Sequence, residues 1–530
     1  MSADQGRYVA GALAAAEGWA VARVTPPSRL FGSNGLRTGA DGRLYVAQVA
    51  GSRVSAIDVD SGAMETISAV DGPIIAPDDL AFDGAGNLYT TEITVGRIGV
   101  LSPKGEYRVL NGDMPVANPI TMYGDRLIAG ECRMGGRVME LDRSSGEARM
   151  ILPDVPMPNA FEVGPDGMLY MPIMATNEIW RVSLDGGEPE VVAGDLGVPD
   201  SVKFDSKGRI VSTQVASGQV LRIDPQTGER ELLAQLSPGL DNCSFVGDRL
   251  FVSGIPGELF EILGEGKVRP LVERGLQWPM GLAVASDGTL FVADGGFTYT
   301  LVPGGGLETL GMLFSPGFPG FTRGVAASGP GEWVTTNSMG QVSRWKPAEG
   351  AHEAISAEHE VLYGVAVGPD GAVVFADGPA GKVYSAKGGS VEVIAEGLKL
   401  PMGVAVSSDG TVYASESQGG RVVKLSGGKV ETVVDGLEEP QGIAVAGDTL
   451  YVVDILSKDL IEVTLSTGAR ATIASGLPVS APPGVRPHLL GGVGNMSGPM
   501  VPFAGVAVAG DGTVFVSGDA EGSVLAVGRR

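Results

Sequence analysis

Six positions in the first half of this 530-residue chain carry oxygen-bearing side chains at intervals of about forty residues. They are Asn34, Asp78, Asn118, Asn159, Asp200 and Asp241, and each directly precedes a recurring β-rich phrase. Asp79 and Asn242 add a second polar side chain in two copies. If the six positions meet, their three carboxylates repel one another unless a cation lies among them. Hard oxygen ligands in this number favour Ca²⁺, with Mg²⁺ and Mn²⁺ as alternatives.

The equivalent positions of the second half have a different character. They hold Met280, Arg323, Tyr363, Met402, Gln441 and Ala504. If Asn and Asp served only to shape tight turns, both halves would carry them. The contrast therefore predicts a metal site in the first half, the alternative being a metal-free polar channel. Zn²⁺ is disfavoured, because the first half has two separated cysteines and no histidine.

The second set of positions allows two interpretations. Met280, Met402 and Tyr363 either plug a channel, since methionine fills irregular gaps, or grip an apolar ligand or a protein. Arg323 is available for an anionic group of a substrate.

The elements that must position these residues are repeated blades. Twelve copies of a phrase with an Asp-Gly-type turn begin at Gly35, Asp79, Pro119, Ala160, Ser201, Asn242, Gly281, Gly324, Gly364, Gly403, Gly442 and Gly505. Each copy of about forty residues contains strand-like runs separated by turn dipeptides, which is typical of the four-stranded blades of a β-propeller. The Ala-rich stretch near residue 12 is the one candidate helix.

The fold class predicted is all-β, with two tandem six-bladed β-propellers, because propellers usually close with four to eight blades. The first propeller spans 28–277 and carries the metal site, and the second spans 278–530. The last copy lacks a fourth strand, so the segment 1–27 is expected to supply it through Trp19–Val24. The Pro/Gly-rich insertion 478–502 is expected to form a loop at one mouth of the second propeller.

The amino-acid composition restricts the classes of binding partner and the location of the protein. The formal net charge of −24 argues against a nucleic acid or an anionic membrane as partner and leaves a small-molecule substrate. Cys132 and Cys243 are too few for a disulfide framework. The N-terminal residues lack the pattern of a signal peptide and no later run is long enough to span a membrane, so a cytoplasmic protein is expected. The oligomeric state is not predicted.

Three phrases of the first half resemble a known family. MPNAFEVGPDGMLYM, VPDSVKFDSKGRIV and LDNCSFVGDRLFVSG are similar to the metal-binding strand starts of the SMP-30/gluconolactonase/LRE-like family and of the related paraoxonase-type six-bladed propellers. The second half shows only an NHL-like blade pattern.

The resemblance implies roles for individual residues. Asn159 matches a metal-ligand Asn, and Asp200 matches the Asp that is both a ligand and the base or nucleophile. Asn118 matches the Asn shared by metal and substrate, and Asp241 with Asn242 matches the Asp-Asn pair of paraoxonases. The implied metal ligands are Asn118, Asn159, Asp200 and Asp241, with Asn34, Asp78 and Asn242 as additional candidates.

Two departures from the family are visible. Asn34 stands where the family places a Glu ligand, which lowers the charge of the site unless Asp78 compensates. All three histidines, His352, His359 and His488, lie in the second half, which disfavours the histidine chemistry of paraoxonases.

The function predicted is therefore that of a metal-dependent hydrolase that opens a lactone or cleaves a related ester. One alternative is a metal-assisted lyase or isomerase at the same site. The other is a non-enzymatic double propeller that binds a ligand or a protein and whose metal is structural.

Overall fold

Nearly all of the regular secondary structure of the described residues is antiparallel β-strand. The structure, a computed structural model, describes Arg7, residues 11–69, 71–302, 304–482, Val485 and residues 503–530. These residues form twelve sheets, eleven of four strands and one of five, and no α-helix. The all-β class and the four-stranded blades predicted from the repeats are confirmed. Within the described part of the chain, no helix has the length and apolarity that crossing a membrane requires.

The chain divides into two compact units, one of which comprises Arg29–Gly275. The other comprises Leu276–Pro482 with described residues from Ser2–Ser28 and Val501–Arg530. Six sheets lie in each unit, and we call them blades 1–6 and blades 7–12 in chain order. The predicted loop 478–502 falls mostly outside the described residues.

Each blade of the first unit is a meander whose first strand we call the inner strand. Blades 1 to 3 consist of Leu36–Thr38, Leu44–Gln48, Arg53–Ile57, Met64–Thr66; Pro77–Phe82, Leu88–Glu92, Arg97–Leu101, Tyr107–Asn111; and Ala117–Tyr123, Arg126–Glu131, Gly136–Leu141, Ala148–Val155. Blades 4 to 6 consist of Glu162–Val163, Met168–Ile173, Glu178–Ser183, Glu190–Ala193; Pro199–Phe204, Ile210–Gln214, Gln219–Ile223, Arg230–Gln235; and Leu240–Val246, Arg249–Gly254, Glu258–Gly264, Lys267–Val272.

The second unit repeats this plan, with additions from the N-terminal residues. Blades 7 to 9 consist of Leu282–Val284, Leu290–Asp294, Phe297–Leu301, Leu307–Met312; Thr322–Gly329, Glu332–Asn337, Val342–Lys346, Ala351–Ser356; and Leu362–Val367, Val373–Asp377, Lys382–Lys387, Ser390–Ala395. Blades 10 to 12 consist of Pro401–Val406, Val412–Glu416, Arg421–Ser426, Lys429–Val434; Pro440–Ala446, Thr449–Asp454, Asp459–Thr464, Arg470–Ser475, Ala14–Ala15; and Val506–Val508, Val514–Gly518, Ser523–Arg529, Trp19–Arg23. Three short 3-10 helices, Val49–Gly51, Pro347–Glu349 and Ser417–Gly419, follow second or third strands.

The alternation of apolar and polar residues places the core between blades. Residues of neighbouring blades form shared apolar clusters, such as that of Tyr89 and Leu110 in blade 2 with Ile120 and Leu127 in blade 3. In the first unit, blade 6 also contacts blade 1, where Thr38 Oγ1 donates to the Phe245 carbonyl at 2.6 Å. The inner strands of the first unit therefore surround a channel.

The blades of the second unit approach one another more closely. Each inner strand has a glycine directly after the position that the sequence analysis compared with the metal ring: Gly281, Gly324, Gly364, Gly403, Gly442 and Gly505. A Cβ on any of the six would lie under 3.0 Å from the backbone of the next blade, and Gly505 closes the circle against Met280. The first unit has a glycine at this position only in blade 1, Gly35.

The N-terminal residues complete blades 11 and 12. Trp19–Arg23 pairs antiparallel with Ser523–Arg529 in the register Trp19↔Arg529, which confirms the predicted closing strand to within one residue. Ala14–Ala15 pairs with Arg470–Ser475. The helix expected near residue 12 is therefore wrong, because the open edge of blade 11 offers backbone hydrogen bonds that a short Ala-rich segment takes as a strand.

Truncation of Trp19 tests how firmly the closing strand holds. Trp19 is 5% exposed, packs with Val527 and Leu460, and lies 4.5 Å beneath the Arg529 guanidinium. We expect Trp19→Ala to lower the free energy of unfolding of the second unit by about 3 kcal/mol, the lower end of the range for a buried aromatic residue. Denaturant titration followed by fluorescence measures this. Val24→Ala, at a 42% exposed neighbouring residue, is the control and should change little.

Side chains that end the second strands of the blades have structural roles, as the hydrogen bonds show. In the first unit, Gln48 accepts from the Phe31 N–H and Gln214 from the Gly197 N–H, each at 3.0 Å. In the second unit, Asp377 accepts from the N–H of Glu360 at 3.0 Å. These side chains fix the loops that lead into the inner strands.

Candidate metal centre

The ring positions of the first unit lie where the inner strands begin. Strand pairing is interrupted after Pro77, Ala117, Pro199 and Leu240, and resumes three residues later. The two intervening residues are thereby released from the ladder, as in a β-bulge that redirects side chains. Asp78, Asn118, Asp200 and Asp241 lie in these interruptions, whereas Asn34 and Asn159 lie just before their inner strands. All six side chains are at most 9% exposed.

The backbone before the ring is strained. Ala76, Val116, Met157 and Val198 have positive φ, between 46° and 62°, and each precedes a ring residue by two positions. A β-branched residue such as Val116 or Val198 rarely adopts this conformation. Strain of this kind clusters at functional sites, where the surrounding structure maintains it.

The three ring carboxylates act on one another electrostatically. Burial raises the pKa of Asp78 well above its usual value, and the negative charges of Asp241 and Asp79 raise it further. Burial and the charges of Asp78 and Asp79 do the same to the pKa of Asp200. The pKa of Asp241 is raised by burial and by Asp200, against a smaller opposing effect of the Asn34 amide. The three carboxyl groups therefore disfavour one another's ionisation, and a cation among them would relieve this repulsion.

Two asparagines hold two of these carboxylates. Asn34 Nδ2 donates to Asp241 Oδ2 at 3.0 Å, and Asn159 Nδ2 donates to Asp200 Oδ2 at 2.9 Å. The amide oxygens are engaged as well, since Asn34 Oδ1 accepts from the Val49 N–H at 3.2 Å and Asn159 Oδ1 from the Ala160 N–H at 2.7 Å. In this arrangement, both residues orient carboxylates toward the channel.

Asn118 differs from the other ring asparagines. Its Oδ1 is buried and has no hydrogen-bond partner. A buried oxygen without a donor is costly, and a cation would satisfy it. The second oxygens of Asp200 and Asp241, and the carboxylate of Asp78, have no hydrogen-bond donor among the described residues. These oxygens are of the kind that Ca²⁺ takes, so the donor chemistry fits a hard divalent cation.

The carboxylates of the ring do not form a metal-binding group by themselves. Among the described residues, no set of three or more His, Cys, Asp or Glu side chains lies close enough to hold a metal ion. Coordination at the ring therefore requires amide oxygens, and the ligand set and the role of Asp200 stay predictions.

Asp79 and Asn242 are engaged by hydrogen bonds within the protein. Asp79 Oδ1 accepts from the Leu80 N–H at 2.8 Å and from Asn242 Nδ2 at 3.4 Å, and its Oδ2 accepts from the Ile120 N–H at 3.3 Å. Asn242 Oδ1 accepts from the Cys243 N–H at 2.8 Å. Both residues link blades within the protein.

A cluster of opposite charges lies farther along the channel. Glu162 Oε2 is 2.7 Å from Arg37 Nη1 and 3.1 Å from Lys203 Nζ, and Glu162 Oε1 accepts from Thr121 Oγ1 at 2.7 Å. Burial opposes ionisation of Glu162, but Lys203 and Arg37 outweigh it and lower its pKa to about 2. Each residue of this cluster occupies the third position after a ring residue.

Neutralising Glu162 should destabilise the first unit. Glu162→Gln removes the nearest counter-charge of Arg37 and Lys203 and leaves only the more distant Asp79 carboxylate, 3.9 Å from Arg37 Nη2, so we expect the free energy of unfolding to fall by about 3 kcal/mol at neutral pH. A lowered pKa stabilises the fold above the usual value of 4.5, and this contribution is lost as pH falls toward about 2. Chemical denaturation from pH 7 to pH 3 should therefore show the difference shrinking. The exposed pair of Glu190 with Arg181 supplies the control, Glu190→Gln.

Cys132 lies beside the ring. Burial raises the pKa of its thiol well above the usual value, and the charges of Asp78, Asp200 and Asp241 raise it further. Its Sγ is 4.0 Å from Met174 Sδ, which also receives the Asn159 amide at 3.1 Å. Cys132 is thus kept as a thiol, which is a poor metal ligand.

A cleft of about 520 Å³ lies between loops of blades 2 and 3, and its lining contains no ring residue. Ile93, Val95, Pro115, Val116 and Met134 give it apolar walls, and Val116 is two residues from Asn118. Its volume is within the range of small-molecule sites. A larger groove of about 1010 Å³ between the same blades contains no ring residue.

Comparison with known proteins agrees with part of this site. Residues 121–255 match the model of a family described as SMP-30/Gluconolactonase/LRE-like region. This stretch contains Asn159, Asp200, Asp241 and Asn242, while Asn34, Asp78 and Asn118 precede it. The predicted resemblance is confirmed for blades 3 to 6.

Three solved structures also resemble this chain, at low sequence identity. A streptogramin B lyase is 18% identical, covers 52% of this chain and 94% of its own, and has a TM-score of 0.38. A virginiamycin B lyase from Staphylococcus aureus is 16% identical with coverages of 52% and 96% and a TM-score of 0.39. A provisionally assigned gluconolactonase is 19% identical with coverages of 49% and 96% and a TM-score of 0.39. No curated protein matches the chain.

The charged cluster of Arg37, Glu162 and Lys203 was missed by the sequence analysis, although the sequence contains its signal. The third position after each ring residue holds Arg37, Glu162 and Lys203 in blades 1, 4 and 5. In the second unit, the same position is alanine six times: Ala283, Ala326, Ala366, Ala405, Ala444 and Ala507. Comparing the two halves at this position identifies the first channel as polar and the second as closed.

Proposed function

We propose that the first unit binds a divalent cation, Ca²⁺, at its ring and hydrolyses a lactone or a related ester there. One observation carries the proposal, namely that the ring combines three buried carboxylates, Asp78, Asp200 and Asp241, which disfavour one another's ionisation, with a buried amide oxygen, Asn118 Oδ1, that has no hydrogen-bond partner. The SMP-30/gluconolactonase-like region at 121–255 supports the choice of reaction.

The proposed ligands are Asn118, Asp200 and Asp241, with Asp78 as the fourth. Asn159 and Asn34 contribute by holding Asp200 and Asp241 through their amide groups. A bound cation polarises the substrate carbonyl and stabilises the oxyanion that forms on it.

Asp200 is the general base that we assign to this reaction. Its Oδ2 is held by Asn159, which leaves Oδ1 to take a proton from an attacking water. The water oxygen bonds to the carbonyl carbon, the ester C–O bond breaks, and the proton passes from Asp200 to the departing alkoxide. One water is consumed and the carboxyl group of Asp200 returns to its starting state.

The cleft between blades 2 and 3 provides a place for the rest of the substrate. Its walls of Ile93, Val95 and Met134 would accept an apolar chain or ring attached to the reacting carbonyl. Asn118 belongs to the ring and lies two residues after Val116, which lines the cleft, so we propose that it contacts the substrate as well as the metal.

Elemental analysis of the protein, purified without added metal or chelator, is the first test. About one Ca²⁺ per chain that is lost in Asp200→Ala would support the site, and turnover of members of a lactone and ester panel would support the reaction. A protein that takes up no divalent cation even with added calcium would contradict the proposal and favour a binding module. The product mass separates hydrolysis, which adds one water, from elimination, which adds none.

A further inference from the structure

The mouth of the second channel contains a positive charge without a counter-charge. Of the side chains that replace the metal ring in this unit, Met280, Arg323, Tyr363, Met402 and Gln441 are each at most 4% exposed, and Arg323 is 1% exposed. Arginine keeps its proton in proteins, so this guanidinium is a buried cation.

Arg323 lacks the partners that a buried guanidinium requires. Its Nε and Nη1 are buried without a hydrogen-bond acceptor, and no carboxylate forms an ion pair with it among the described residues. Its guanidinium lies over the Tyr363 ring, 5.4 Å from the ring centre, and Tyr363 in turn contacts Phe503. A cation–π contact attracts the charge but accepts none of its N–H hydrogens in the ring plane. A bound anion would therefore stabilise the buried positive charge of Arg323.

The surroundings limit the size of that anion. Phe503 and the ring of six glycines enclose a cavity of only about 30 Å³ farther along the channel, which is room for one or two waters. The Tyr363 ring already covers one face of the Arg323 guanidinium, so we expect a compact anion to fit beside it better than an extended organic ligand.

We propose that the second unit binds a small monovalent anion, a halide or the carboxylate of a one- or two-carbon acid, against the Arg323 guanidinium at the mouth of its channel. Tyr363 and Gln441 are the neutral polar groups of the same ring. The proposal is independent of the hydrolase reaction in the first unit, because it rests on no residue of that unit.

Direct observation of bromide tests the site. Crystals of the full chain soaked in sodium bromide should show anomalous scattering next to Arg323 in the wild type and in Arg470→Met, the exposed control in the same unit. Arg323→Met should lack the peak. Calorimetric titration with sodium bromide, formate and acetate should show saturable binding that weakens at least tenfold in Arg323→Met, while phosphate should not bind.

Thermal unfolding at constant ionic strength supplies a second measurement. At about a hundredfold excess of bromide over its Kd, the melting temperature of the second unit should rise by about 5 °C, and the rise should vanish in Arg323→Met. Arg323→Lys keeps the positive charge, and its melting temperature should still rise with bromide. It serves as a second variant in case Arg323→Met does not fold. If formate competes with bromide, the site accepts a carboxylate. If bromide binds and formate does not compete, the site is specific for a halide. Absence of the anomalous peak and of binding heat in the wild type would overturn the proposal, as would an unchanged bromide response in Arg323→Met.

Discussion

Asp200→Asn is expected to lower kcat/KM for the lactone or ester substrate by about a thousandfold or more. The amide keeps the size of the side chain but cannot accept the proton of the attacking water, and general base catalysis contributes about 10²–10⁴-fold. The same change removes one anionic ligand, so calcium content should fall as well. Initial rates with the best member of the lactone panel, at saturating calcium, measure the effect.

A surface carboxylate of the same unit provides the matched control. Asp125 is 93% exposed and pairs with Arg143, so Asp125→Asn should leave both turnover and calcium content unchanged. Undiminished turnover by Asp200→Asn would show that Asp200 is not the base.

Asp78→Asn is expected to change stability in opposite directions with and without metal. In the metal-free protein, the substitution removes one of three mutually repelling buried carboxylates, so the first unit should become more stable. With calcium at about a thousandfold excess over its Kd, the wild type should gain about 4 kcal/mol, and the variant should lose most of this gain. Denaturant titration with EDTA and with calcium measures both values.

The pH dependence of the metal-free protein follows from the raised pKa of Asp78, which burial causes first and Asp241 second. Because the folded protein holds this proton more tightly than the unfolded chain, the contribution to stability is complete below the unfolded pKa, near 3.8. It is lost as pH rises through the folded pKa. Calcium should abolish this loss, and Asp113→Asn, at an 84% exposed carboxylate, should leave it intact. Equal stability of wild type and Asp78→Asn in EDTA at every pH would contradict electrostatic strain in the ring.

Much of the fold was predictable because the repeat signals are local. Turn dipeptides and alternating residues identify four strands in blade 5, at Pro199–Phe204, Ile210–Gln214, Gln219–Ile223 and Arg230–Gln235. The missing fourth strand of blade 12 could be inferred by counting. The strand at Ala14–Ala15 could not, because alanine has no strong strand preference and only the open edge of blade 11 determines its conformation.

Prediction of the site was limited to the positions of residues. The ring could be located from its spacing, but the sequence does not show that Asn34 and Asn159 turn their amide nitrogens toward carboxylates, or that the Asn118 oxygen has no partner. Hydrogen bonding within an interrupted strand depends on backbone geometry, such as the positive φ of Val116 and Val198, that residue types do not reveal. Predicting that Glu162 pairs with Lys203 across neighbouring blades likewise requires knowing the channel radius.

The closing strand has a consequence for synthesis on the ribosome. Val524 N–H donates to Thr25 Oγ1, 499 residues away along the chain, at 2.8 Å. At about 5–20 residues per second, translation takes roughly 25–100 s to cover that distance. Arg29–Gly275 can emerge and fold completely within this time, while Trp19 stays without its partner. The second unit is thus discontinuous in sequence and cannot close until Val524 has emerged, so Trp19–Arg23 stays unpaired during this time and is available to chaperones.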